Sequence, residues 1–113
     1  MTTLTIGVSD LESVKASMRA AFRGVPQGCT YTFLTEDDLL STLSPNRWAI
    51  VKALTGTGPL GVRELARRVG RDVKGVHTDA QMLAGCGLID KMEDGKLHLP
   101  YDEVRLELVA KAA

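Results

Sequence analysis

Nine basic side chains gather in one stretch of this chain, at spacings that suit phosphate recognition. Between Pro45 and His98 stand Arg47, Lys52, Arg63, Arg67, Arg68, Arg71, Lys74, Lys91 and Lys96 against six acids, a local charge of +3. The remainder carries −3, so 14 Lys+Arg balance 14 Asp+Glu over 113 residues. A neutral chain with its charge segregated in this way can neutralise phosphates along one surface without being basic overall. Arg and Lys donate to phosphates or guanine edges, Gln pairs with adenine, and Thr touches a thymine methyl. The candidates for that chemistry are Arg67, Arg68, Arg71, Lys74, Thr78, Gln81, Lys91 and Lys96. The bland account of the same residues is a solvated surface of mixed sign.

Other chemistries fail on context. Gly56 to Gly61 reads GxGxxG with Asp79 beyond it, but the preceding segment reads as helix, and that fingerprint has meaning only between a strand and a helix. Val62 stands where a phosphate-binding loop would need lysine. His77 and Asp79 lack further ligands or a nucleophile, because the other histidine, His98, falls elsewhere, so structural or DNA-facing roles are expected of them. Cys29 and Cys86 show no CxxC spacing and are expected to behave as small apolar residues, and Trp48 as a core anchor. The expectation is therefore no enzymatic step, no metal and no cofactor. Apolar runs are only a few residues long and no basic segment precedes one at the N-terminus, so neither a membrane span nor a secretory signal is expected, and the location expected is cytoplasmic.

Side chains of this kind work only from fixed backbone positions, and the periodicity supplies the elements. Leu4, Ile6 and Val8 alternate with polar or small residues as in a half-buried strand. Ser9 and Glu12 form a capping box for a helix carrying Leu11, Val14, Met18 and Phe22 up to Gly24. Thr30 to Phe33 reads as a second strand, completing β-α-β. Thr35 caps a short helix whose first turn holds Glu36, Asp37 and Asp38, and Ser44-Pro45 starts another, carrying Trp48, Val51, Ala53 and Leu54.

From Val62 onward, Leu65, Ala66 and Val69 make one helical face, Gly70 permits a sharp turn, and Val73, Val76, Ala80 and Leu83 form the inner stripe of a longer helix from about Asp72 to Ala84. Two short helices joined this closely need a small residue at their contact, which Ala66 provides. Leu88 to Met92 and Lys96 to Leu99 then read as strands joined by Glu93-Asp94-Gly95. Helix, turn, helix and hairpin together describe a winged helix-turn-helix, and the stripe leaves Lys74, Gly75, Thr78 and Gln81 outward, with Arg71 at the helix entrance.

The stretch from Ser44 to Tyr101, with segments Leu65-Ala66-Arg67-Arg68-Val69-Gly70-Arg71-Asp72-Val73, Glu93-Asp94-Gly95 and Pro100-Tyr101-Asp102, resembles small winged helix-turn-helix transcriptional regulators of bacteria and archaea, some of which act as antitoxins. The resemblance implies double-stranded DNA as partner and transcriptional control as function. The expected architecture is α+β: residues 1–43 a β-α-β and helical extension, 44–101 the winged helix-turn-helix, and 102–113 a strand and tail serving dimerisation. The expected activity is that of a sequence-specific regulator, a homodimeric repressor. The alternative is an antitoxin-like interaction module that masks a cognate toxin.

Overall fold

The computed structural model describes residues 2–8 and 29–108 and has a mixed α+β fold. The helix expected from Ser9 to Gly24 lies outside the described residues. Strand β1 (Thr3–Val8) buries Leu4 and Ile6, while Val8, expected on the same covered face, is exposed at the strand end. Strand β2 (Cys29–Phe33) pairs with β1 in parallel, with Ile6 opposite Tyr31 and Val8 opposite Phe33. Tyr31 and Phe33, two residues apart and hence on one face, bring their ring centroids to 5.1 Å.

Four helices follow, three of them started by a side-chain cap. In α1 (Glu36–Thr42) the Asp38 amide donates to Thr35 Oγ1 at 3.1 Å. In α2 (Pro45–Leu54) the Arg47 amide donates to Ser44 Oγ at 3.4 Å, with Pro45 in the first helical position. Helix α3 (Val62–Val69) ends at Gly70, whose φ of 74° is the left-handed conformation that the turn requires. Both the Gly70 and Arg71 amides donate to the Ala66 carbonyl, at 2.9 and 3.1 Å. Asp72 then caps α4 (Val73–Gly85), accepting from the Gly75 amide at 2.9 Å.

Helices α2, α3 and α4 pack against one another in pairs. Their buried faces are Ile50, Val51 and Leu54, then Leu65 and Ala66, then Val76, Ala80 and Leu83. Burial of each aliphatic side chain of this size contributes about 1.5–3 kcal/mol, so apolar packing holds α4 on α3 and polar contacts adjust its setting. Val73, expected in the inner stripe, is 42% exposed. It is the first residue of α4, directly after the cap, and lies outside the buried stripe, which starts at Val76.

The hairpin is shorter than the alternation suggests: β3 is Asp90–Lys91 and β4 is Leu97–His98. Leu88 and Ile89 spend their amides on the Leu83 carbonyl, at 3.0 and 3.5 Å, ending α4 instead of extending the strand, and both side chains are buried. The loop before α3 joins the hairpin through reciprocal Leu60–Leu97 hydrogen bonds of 2.8 Å. Strand β5 (Glu103–Leu106) lies parallel to β1 on the side opposite β2, giving a three-stranded sheet in the order β2-β1-β5. Within the chain, Thr3 to Ile6 thus pair with Glu103 to Leu106. One continuous apolar core runs from Leu4 and Ile6 through Leu39 and Leu43 to the three packed helices and Leu97 and Leu99.

Candidate nucleic-acid interface

The exposed side of α4 follows from its buried side. Successive residues turn by about 100°, so with Val76, Ala80 and Leu83 inward, Lys74, His77, Thr78 and Gln81 fall on the opposite arc. Lys74, His77 and Thr78 are exposed and Gln81 is half-buried. The Thr78 hydroxyl donates to the Lys74 carbonyl at 3.1 Å, which fixes its rotamer and leaves its oxygen able to accept. The row continues onto the hairpin, where Lys91 Nζ donates to Gln81 Oε1 at 3.4 Å. Between α4 and the hairpin runs an open groove of about 450 Å³ whose lining includes Val62, His77, Gln81, Lys91, Lys96 and Leu97.

The hairpin tip is set by its own chemistry. The Gly95 amide donates to the Met92 carbonyl at 2.9 Å, and the Lys96 amide donates to Asp94 Oδ1 at 3.0 Å. Gly95 holds a φ of 86°, as the expected Asp-Gly loop requires. Lys96 Nζ stands 4.0 Å from Asp94 Oδ2, both side chains being more than half exposed, a pair worth at most ~1 kcal/mol. The ammonium is thus free to move to a stronger anion.

On α3, Arg67 and Arg68 share one carboxylate. Arg67 donates to both Glu64 oxygens, its Nη2 standing 2.6 Å from Oε1, and Arg68 Nε donates to Oε1 at 3.0 Å. The hydrogen bonds from Arg67, then from Arg68, hold the Glu64 carboxyl below its ordinary range, and Arg67 is held above its own. Two guanidinium groups on one carboxylate leave a net positive charge on this exposed face.

Arg71 departs from the row. Its Nη1 donates to Asp79 Oδ2 at 2.8 Å, while Arg47 Nε donates to Asp79 Oδ1 at 3.2 Å. Arg47 Nη1 also donates to the Ser41 and Thr42 carbonyls at the end of α1, at 3.0 and 3.3 Å. One carboxylate on α4 therefore ties α1, α2 and the turn before α4 together. The profile of the HVO_A0114 family matches residues 42–106, more than half of the chain. The chain belongs to the HVO_A0114 family. The HVO_A0114 match takes in α2, α3, α4, the hairpin and β5, and with them all three members of the Arg47–Asp79–Arg71 cluster. Strands β1 and β2 lie before it. No curated protein and no solved structure gives a significant match to the chain.

Within this HVO_A0114 chain the structure brings Lys74, Thr78, Gln81 and Lys91 into one row, sets Lys96 across the groove from His77, places Arg67 and Arg68 on α3, and sets Arg71 apart on Asp79. Sequence reasoning missed Glu64, Arg47 and Asp79 as partners, and of the structural and DNA-facing roles expected for His77 the structure shows an exposed side chain. Glu64 was detectable, because i,i+3 and i,i+4 pairs face each other on a helix. Asp79 was detectable as an acid on the shoulder of the Val76–Ala80–Leu83 stripe, where a half-buried charge needs a partner. Gly75, on the outward list, has a specific neighbour: a Cβ there would lie 3.0 Å from both Arg71 Nη2 and Asp72 Oδ1. Cys86, expected to behave as a small apolar residue, is free and exposed, with its Sγ donating to the Leu83 carbonyl at 3.3 Å. Its position just after α4 puts it at the helix end and outside the stripe. Among the described residues no three His, Cys, Asp or Glu side chains gather, the GxGxxG segment follows helix α2, and no helix is long and apolar enough to cross a membrane.

Proposed function

We propose that this chain is a cytoplasmic, sequence-specific DNA-binding transcriptional regulator that acts as a homodimeric repressor, with residues 44–101 working as a winged helix-turn-helix. The observation that carries the reading is the continuous row of Lys74, Thr78, Gln81 and Lys91, which runs from the exposed side of α4 onto the hairpin. In this reading α4 enters the major groove, where Lys74 and Gln81 meet base edges and Thr78 a thymine methyl. Arg67 and Arg68 stand on the preceding helix, as phosphate contacts that fix register require. Lys91 and Lys96 reach the neighbouring backbone from the hairpin, whose acids Glu93 and Asp94 oppose deep insertion into a groove.

Selection of bound duplexes from a random pool tests the reading directly. Enrichment of a pseudo-palindromic sequence, bound with an affinity that falls steeply with salt, is the expected outcome. No enrichment over input, together with stable copurification with a protein partner, would replace it by the toxin-masking alternative.

A further inference from the structure

Arg71 stands at the entrance to the proposed DNA helix, yet its guanidinium is already engaged. The side chains of Arg71 and Asp79 are 25% and 15% exposed, so this pair is screened less than a fully solvated one. Asp79 spends its second oxygen on Arg47, which draws α2 against the same point of α4. The two arginines are not equivalent. Arg47 keeps the Ser41 and Thr42 carbonyls as acceptors whatever happens to Asp79, whereas among the described residues Arg71 has Asp79 as its side-chain acceptor. Gly75 is an independent sign of the same arrangement: the space that its Cβ would fill abuts Arg71 Nη2.

Resting on the DNA-binding reading, we propose that Asp79 is a positioning residue that holds Arg71 in the scaffold of α4 and keeps its positive charge out of phosphate neutralisation. Each phosphate contact on duplex DNA steepens the dependence of log affinity on log salt by about 0.9. The number of arginines on the backbone is therefore directly countable. A carboxylate with a purely structural role would, on removal, weaken binding or folding without adding to that slope.

The experiment measures the affinity of the full chain for one fixed-length duplex between 50 and 200 mM salt, comparing the parent, Asp79→Asn, Arg71→Ala and the double variant. Asp79→Asn is expected to steepen the slope by about 0.9, so that the fourfold rise in salt costs it about 3.5-fold more affinity than the parent. Arg71→Ala is expected to keep the parental slope, and the double variant to return to it. A folded Asp79→Asn with the parental slope overturns the proposal, as does a double variant that stays steep. Should Asp79→Asn not fold, Arg71→Ala decides alone: a slope flattened by about 0.9 would show that Arg71 already touches phosphate in the parent. Failure of the DNA reading is distinguished by the parent itself, which would then show no salt-dependent duplex binding, and the inference falls with it.

Discussion

Gly75 occupies the third position of α4, where alanine ordinarily stabilises a helix by up to about 1 kcal/mol over glycine. Here the added Cβ must share space with the Arg71 guanidinium and the capping carboxylate of Asp72, each 3.0 Å away. Gly75→Ala is therefore expected to raise the urea midpoint by much less than that gain implies, or to lower it. A full gain in the midpoint at unchanged m-value would show that the methyl meets nothing. Tyr31 offers a second single-residue test. Burial, and then the neighbouring Cys86 side chain, push its phenol up to about 12 from an ordinary value of 10.0, and its hydroxyl donates to the Cys86 carbonyl at 2.6 Å. In the unfolded chain the phenol ionises near 10, so between 10 and about 12 the folded state alone keeps the proton. The stabilisation is complete below 10 and is lost as pH rises through about 12. Urea unfolding of the parent and Tyr31→Phe should show the advantage of tyrosine shrinking across that window. A Tyr31 phenol that titrates near 10 in the folded protein, followed as the difference in ultraviolet absorbance between the parent and Tyr31→Phe, would contradict the assignment.

The helices were the most legible elements, because their starts are written in neighbouring residues: Thr35, Ser44 and Asp72 cap within three positions of themselves. The hairpin tip was legible for the same reason, in Asp94-Gly95. Its strand ends were not, since alternation does not separate a strand from the local closure of α4, in which Leu88 and Ile89 donate back to the Leu83 carbonyl past Gly87 at a φ of 85°. The outward row was read from the buried stripe, with Val73 misplaced because periodicity does not reveal where a packing partner stops. The Arg71–Asp79 pair joins a turn to a later turn of helix, and no spacing rule forecasts it. At this scale α4 and the hairpin predict different phenotypes. Lys74→Ala or Gln81→Ala should change base preference at particular positions, at a cost of roughly 1–3 kcal/mol for a lost bidentate contact. Lys96→Ala should instead weaken binding to all duplexes alike and flatten the salt slope by about 0.9. Competition against single-base operator variants separates the two, and identical profiles for Lys74→Ala and Lys96→Ala would remove α4 as the reader.

For the whole molecule, alternation marked Leu4 and Ile6 as the covered face of β1 but could not name the strand's neighbours; in β5 Leu106 is exposed, and the parallel β1–β5 ladder had to be seen. With β1 central, β2 and β5 are the edge strands of the three-stranded sheet, and Leu34, 84% exposed, lies just after β2. In a dimer built through this sheet, two copies of α4 on a pseudo-palindrome would read half-sites roughly 34 Å apart along the duplex. Sedimentation at micromolar concentration should report a dimer with DNA present, and a monomer with and without DNA would defeat this arrangement. The β1–β5 pairing also orders events in time. Thr2 and Asp102, a hundred residues apart in the chain, clasp each other through the Thr2 amide and the Asp102 carboxylate at 3.1 Å. During synthesis β1 leaves the ribosome long before its partner exists, whereas α2, α3 and α4 find one another across short turns. The helical part can therefore assemble while β1 still presents an open edge to neighbouring nascent chains. That interval, more than any weakness of the finished fold, is when this protein is most exposed to misassembly.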